Sequence, residues 1–287
     1  MSTIRQRSPA SYLLAVPAAL WMIAAVVVPT ILIVWVSFWG GRTFNPESPL
    51  VFTNYVRFFS NRSYLGLVLD TFRQAATLMA ITGVLGYSIA YFLTVKLTHR
   101  GLKSVLFFAF IIPFWTSAII RAIAWIPFLG VNGVINNVLI FLGITDQPVQ
   151  SFLYSMTGIT MAQVSLYTLL ASGPVVYMLR NIPRALPEAA MTLKAPPLIV
   201  FWRIVFPLSL PGIVVGQVLV FLNVMADFAT VAAIGGNKQA LLGNLVLLFY
   251  EAGNIRYAAV IAVILMICML IGVAAALRVV DVRRLGA

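Results

Sequence analysis

The sequence predicts an all-α integral membrane protein with about six transmembrane helices, and three observations carry that prediction. Hydrophobic residues make up 62% of the 287-residue chain and charged residues 9%, against roughly 45–50% and about 25% in a soluble domain. Several apolar runs each reach the ~20 residues that a bilayer crossing needs. The basic residues sit at the ends of those runs, where they set membrane topology. The net charge of +12 therefore does not point to nucleic acid, because no basic face with interleaved aromatics accompanies it. The single cysteine, Cys268, lies in an apolar run and excludes an intrachain disulfide and a cysteine metal site. The single histidine, His99, lies in a basic loop, and a structural or surface role is expected of it.

The first span runs from about Tyr12 to Trp39. It is far longer than the ~7–15 residues of a signal-peptide core, so a retained helix is expected. Pro17 and Pro29 are kink positions within it. A turn-rich segment with Asn45, Pro46, Pro49 and Asn54 follows, then a second span from about Gly66 to Val95. Asp70 and Arg73, three residues apart on one helix face, are expected to pair. Lys96, His99, Arg100 and Lys103 form a short basic loop before a third span, about Ser104 to Phe128. Val131–Leu142 reads as a short interfacial helix, and the fourth span covers about Tyr154 to Leu179. The fifth runs from about Leu208 to Ile234 and the sixth from about Tyr257 to Val279, with an apolar stretch at Leu241–Tyr250 between them.

Orientation follows from the asymmetry of Lys and Arg. Twelve of the 19 basic residues fall on one side, with Arg5, Arg7, Arg180, Arg184, Arg283 and Arg284 among them, and five fall on the other. Both termini are thus expected in the cytoplasm. The two halves of the chain share no visible repeat, which weighs against secondary transporters built from inverted repeats.

The loop from Arg180 to Phe206 differs from the rest, being basic and holding Pro183, Pro187, Pro196 and Pro197. Pro187 suits the first position of a helix, and Glu188 in the first turn complements the helix dipole. Ala189 and Ala190 leave room for a partner surface. Pro196 ends the helix after about two turns. A second short helix is expected from Leu198 to Phe206, ending at Pro207. Two short helices held between prolines and joined to two spans make a handle able to transmit force from a soluble partner. The plain alternative is a linking loop.

Glu188-Ala189-Ala190, then Ala195, Phe201, Ile204, Pro207-Leu208 and Pro211-Gly212-Ile213 resemble the EAA signature of ABC importer permeases. In that family the loop is the coupling helix that docks on the ATP-binding subunit, which implies this role for Glu188, Ala189, Ala190, Leu193, Lys194 and Ala195. The family usually has glycine where this chain has Lys194, so either the turn differs or Lys194 accepts strain. Ile112-Pro113-Phe114-Trp115-Thr116-Ser117, Arg121, Ala124-Trp125 and Asn132-Gly133 are similar to spermidine/putrescine permeases. So are Asp227-Phe228, Gly235-Gly236 and Leu242-Gly243-Asn244-Leu245. The resemblance implies a type I importer fold. Residues 1–64 would hold the first helix and a periplasmic segment, and residues 65–287 the permease core with coupling loop 180–206. It also implies ATP-binding subunits, a second permease in a heterodimer, and a periplasmic solute-binding protein, with lipid around the spans. ATP and Mg would be held by the partner ATPase, and no cofactor by this chain.

Charges inside spans are expensive and usually face a cavity or a partner. Asp227 and Arg121 are the clear cases. Asp227 either lines the translocation path and attracts an ammonium group, or fixes helix packing by pairing with Arg121 or a partner subunit. Trp115, Trp125, Tyr167 and Phe228 are candidates to hold a cation by their π faces. No nucleophile motif, metal spacing or phosphate loop is present, so the chain reads as a non-enzymatic permease whose energy source is another subunit. The alternative is an ion-coupled secondary transporter, and a membrane-embedded enzyme is a more distant third. The solute is a polyamine, an opine or a related amino-acid-like compound.

Overall fold

A computed structural model describes residues 9–40, 49–236 and 238–279. Arg5, Arg7, Arg42, Arg283 and Arg284, on which part of the expected orientation rests, lie outside the described residues, as do Asn45 and Pro46. Among the described residues six stretches are long and apolar enough to cross a membrane: Val16–Ser37, Arg62–Lys96, Ala118–Phe141, Met156–Asn181, Pro197–Ala226 and Ile255–Arg278.

The first span is built from α1 (Pro9–Met22) and α2 (Val28–Ser37) joined by a π turn at Ile23–Val27. A short helix, α3 (Thr53–Ser60), leads to α4 (Arg62–Tyr91), which Asn61 caps by accepting from the Ser63 amide at 2.9 Å. A π turn at Phe92–Lys96 ends that span. His99 then caps α5 (Arg100–Ile111), its ring nitrogen accepting from the Leu102 amide at 3.2 Å.

The expected third span is interrupted. After α5 the chain tightens into a 3₁₀ turn at Ile112–Trp115, extends at Ser117, and resumes as α6 (Ala118–Ala124) and α7 (Ile126–Leu129). Pro113 has no amide to continue the α-helical ladder. The short helix expected at Val131–Leu142 is present as α8 (Val134–Phe141), but it falls within the apolar stretch Ala118–Phe141, which runs beyond the end expected for the third span at Phe128. Buried Asn136 fastens the loop around it by donating to the carbonyls of Gly130, Val131 and Val149 and accepting from the Val149 amide. The fourth span is α9 (Met156–Asn181), which has the largest buried share of the six.

α10 (Ala185–Thr192) lies in the loop between the fourth and fifth spans. The second short helix expected there does not stop at Pro207. α11 (Pro197–Val200), a π turn at Phe201–Val205 and α12 (Phe206–Ala226) run on as one rod. The π turn supplies the reason. The Phe206 amide bonds the Phe201 carbonyl five residues back, so Pro207 enters where the regular ladder has already been shifted. The same device precedes Pro29, where the Val28 amide bonds the Ile23 carbonyl. The fifth span also ends earlier than expected, because the chain leaves the helix at Asp227 and then runs on through a π turn at Val231–Gly235 that packs beside the start of α9. α13 (Leu242–Glu251) and α14 (Ile255–Val279) complete the chain.

α9 is the axis on which the bundle closes. Lipid offers no hydrophobic drive between helices, so close backbone approach at small residues matters more than in water. At Gly86 of α4 a Cβ would stand 3.1 Å from Ala171 Cβ and 3.2 Å from the Thr168 carbonyl oxygen. At Gly212 of α12 it would meet Met178 and the Pro174 carbonyl, both at 2.7 Å, and at Gly216 it would run into the Ala171 carbonyl. A second core joins α4, α12, α13 and α14 around Phe58, Leu78, Phe221, Leu242 and Ile261.

Gly216→Leu should therefore destabilise the bundle by about 1–3 kcal/mol or more through overpacking. Thermal unfolding of the detergent-solubilised subunit reads the effect. Gly173→Ala, which enters open space, is the matched control and should leave the unfolding temperature unchanged.

Candidate functional site

Two groups of residues stand out, one in the loop between α9 and α12 and one at the helix break after α12. In the loop, Pro187 is the third residue of α10 rather than the first, still within the turn whose amides have no intrahelical acceptor. Glu188 is exposed in that first turn, and its carbonyl accepts from Thr192 Oγ1 at 3.0 Å. The end of α10 closes as a Schellman motif. The Lys194 amide bonds the Met191 carbonyl at 2.9 Å, and the Ala195 amide bonds the Ala190 carbonyl at 3.1 Å. Lys194 occupies the left-handed position of that motif, with φ +62°. Of the two alternatives the sequence left open, the turn is thus the glycine-type turn and the lysine accepts its strain. Leu193 beside it is 83% exposed.

The loop is anchored to the bundle by aromatics. Phe201 packs edge-on against Tyr87 and Tyr91 of α4, with ring centroids 5.9 and 5.3 Å away. Ser209 donates to the Tyr87 hydroxyl at 3.2 Å. Beneath them, Val205 packs with Ala90, Val175 and Leu179. The rod that begins at Pro197 is thereby clamped to α4 and α9 one turn after it leaves the loop.

At the other group, Asp227 sits where α12 ends and is 8% exposed. One carboxylate oxygen accepts from the Thr230 amide at 2.9 Å and so caps the helical turn that follows the break. The other accepts from Gln163 Nε2 and from the Tyr167 hydroxyl, each at 2.8 Å. Gln163 is held in turn by Gln74 of α4 at 2.8 Å, and Gln74 also reaches Thr160 at 3.0 Å. The packing partner of Asp227 is therefore a set of neutral donors. Among the described residues it forms no ion pair with Arg121.

The remaining candidates are dispersed. Trp125 donates to Ser165 of α9 at 3.0 Å, which docks the broken third span on the axis helix. Trp115 is 82% exposed. Phe228 lines an apolar groove of about 470 Å³ with Leu32, Ile33, Gly243, Val246 and Ile255. Asp70 and Arg73 pair at 3.3 Å on an exposed face, as their spacing predicts, an arrangement worth little by itself. Sequence reasoning passed over Gln74, Thr160 and Gln163. Their signal was available: polar side chains inside spans, which need partners. Among the described residues no three His, Cys, Asp or Glu side chains come together to hold a metal.

Residues 82–284 match the family of binding-protein-dependent transport system inner membrane components. The chain belongs to this family. It is a permease subunit of an ABC importer and an inner-membrane, multi-pass protein, which sets aside the secondary-transporter reading. The spermidine/putrescine transport system permease protein PotB of Escherichia coli (strain K12) is 32% identical over 228 residues, covering 79% of this chain and 81% of the relative. The inner membrane ABC transporter permease protein YdcU of the same organism is 28% identical over 243 residues, covering 81% and 75%. Among solved structures, a bacterial ABC transporter involved in the import of alginate superposes with a TM-score of 0.76 at 17% identity, covering 94% of this chain and 96% of that one. That likeness establishes the permease fold expected from the sequence.

In this permease Asp227→Asn keeps one oxygen for the Thr230 amide but turns an amide group toward two donors. We expect a loss of about 1–3 kcal/mol, seen as a lower unfolding temperature in detergent. An unchanged unfolding temperature together with lost uptake would assign the carboxylate to the solute path instead.

Proposed function

We propose that this subunit carries a small cationic or amino-acid-like organic solute, with polyamines first among them, from periplasm to cytoplasm by alternating access. The observation that carries the reading is α10. It is a short, exposed helix closed by a Schellman turn and joined through residues 193–196 to the rod of the fifth span, whose first turns are clamped on α4 and α9. Such a helix turns a push from outside the membrane into a tilt of the bundle axis. The solute class rests on the names of the relatives, while the few acidic residues in the chain, seven in all, weigh against a polycation held here by several carboxylates and keep opines and amino-acid derivatives in the class. With so few carboxylates, much of the selectivity would reside in the binding protein and the second permease.

In this reading the α10 end faces the cytoplasm, both termini lie on that side, and Glu188, Ala189, Ala190, Leu193, Lys194 and Ala195 meet the ATP-binding subunit. That subunit holds ATP and Mg. A second, different permease completes the path, and a periplasmic protein delivers the solute. Closure of the ATPases on ATP moves α10, the rod from Pro197 moves with it, and the spans open outward. Hydrolysis resets them inward. Asp227 acts as a positioning residue for the helix break. Exposed Trp115 and half-buried Trp125 are the aromatic candidates for solute contact.

The test is Glu188→Lys in the complex purified from native membranes and reconstituted into liposomes. ATP-driven uptake should fall about tenfold or more, as for a reversed charge at a docking surface, while the amount of subunit in the membrane stays the same. Normal uptake would reject the coupling role of α10.

A further inference from the structure

We infer that Lys194 is a docking residue that pairs with a carboxylate on the rim of an apolar groove in the ATP-binding partner. The inference rests on the coupling role of α10 proposed above. Among the described residues two non-glycine positions have positive φ, Tyr154 and Lys194. Tyr154 is held there by the protein itself. Its amide donates to the Ile234 carbonyl at 2.9 Å, its ring packs on Gly236, and the Lys238 ammonium lies 5.8 Å over the ring. Lys194 has no comparable support. Its backbone bonds are those any glycine would make at the end of the helix, and its side chain is exposed. Among the described residues that side chain forms no hydrogen bond or ion pair.

A left-handed lysine is strained relative to glycine, and the fold gains nothing from it. Strain of this kind persists where function uses the side chain. Membrane topology does not demand it either. Arg180, Arg184 and Arg203 already make this loop basic, and Glu188 is the one acidic residue between 180 and 206. What distinguishes Lys194 is its setting. It stands at the turn of the handle, next to Leu193 and near Met191 and Leu198, all strongly exposed apolar side chains. A partner that covers those side chains removes water from around the ammonium. A charge there needs a carboxylate opposite it, and that pair strengthens as the surroundings dry.

The experiment measures binding of the ATP-binding subunit that co-purifies with this chain to the complex stripped of it, in neutral-lipid nanodiscs, between about 50 and 500 mM salt. Lys194→Asn accepts the left-handed backbone but lacks the charge. Lys194→Arg keeps both the charge and the strain. We expect the Asn variant to bind about tenfold more weakly at low salt and to lose most of its salt dependence, while the Arg variant stays near wild type. Equal binding by all three at every salt concentration overturns the inference and leaves the coupling role standing. A loss by the Asn variant that appears only when anionic lipid is added also overturns it, in favour of a lipid headgroup. Failure of any ATP-binding subunit to co-purify with the wild-type chain removes the coupling role and this inference together.

Discussion

Inside a bilayer a backbone amide or carbonyl freed from its helix has no water to bond, and the whole of this chain is arranged around that constraint. The helices are not uniform rods. α12 stops at Asp227, α13 starts from an extended residue, and prolines enter at positions 29, 113, 174, 207 and 211. The break between α12 and α13 is repaired locally. Asp227 caps the Thr230 amide, Asn244 accepts from the Leu241 amide at 2.7 Å, and Thr71 of α4 accepts from the Leu242 amide at 3.1 Å. Gly243 lets α13 pass directly under the end of α12, where a Cβ would stand 2.9 Å from the Met225 carbonyl oxygen. The motif residues after the fifth span are thus largely the hardware of one helix break.

The repairs also tie the break to the axis of the bundle. The carboxylate that caps Thr230 is gripped from the side by Gln163 and Tyr167 of α9, and Gln163 is gripped by Gln74 of α4. In a low-dielectric setting such a chain holds only if every member is satisfied. Farther along the same helices toward the loop, Gly86, Gly212 and Gly216 bring α4 and α12 onto α9 at backbone contact. Polar chain and small-residue contacts act on the same three helices, so a displacement of one is felt by the others.

That rigidity extends to the loop at the other end of the rod. α10 is exposed and marginal as an isolated two-turn helix, yet the Schellman turn and Pro196–Pro197 fix its end. The aromatic clamp on Phe201 fixes the first turns of the rod beyond it. The handle sits on that rod, which runs from Pro197 to Ala226 and ends at the Asp227 break. Residues 193–196 join α10 to that rod, and the network of Gln74, Gln163, Tyr167 and Asp227 lies at the rod's far end.

The sequence by itself determined the membrane class, the number of long apolar stretches, the short helix at 134–141, the short helix of the loop and the family. These depend on local quantities: hydropathy over ~20 residues, proline and charge placement, and a motif of fixed spacing. The Asp70–Arg73 pair was legible for the same reason. Tertiary structure decided the rest. Whether Pro207 would end a helix depended on a π turn that only the packed rod displays, and the third span broke where a hydropathy window saw one run. Whether Asp227 faced Arg121 or neutral donors depended on the rotation of α9 about its axis, which no periodicity reports. The strain at Lys194 lay between: the resemblance to a glycine position raised the question, and the backbone angle answered it. Contacts between helices far apart in sequence are set by packing, and a single sequence carries no local trace of them.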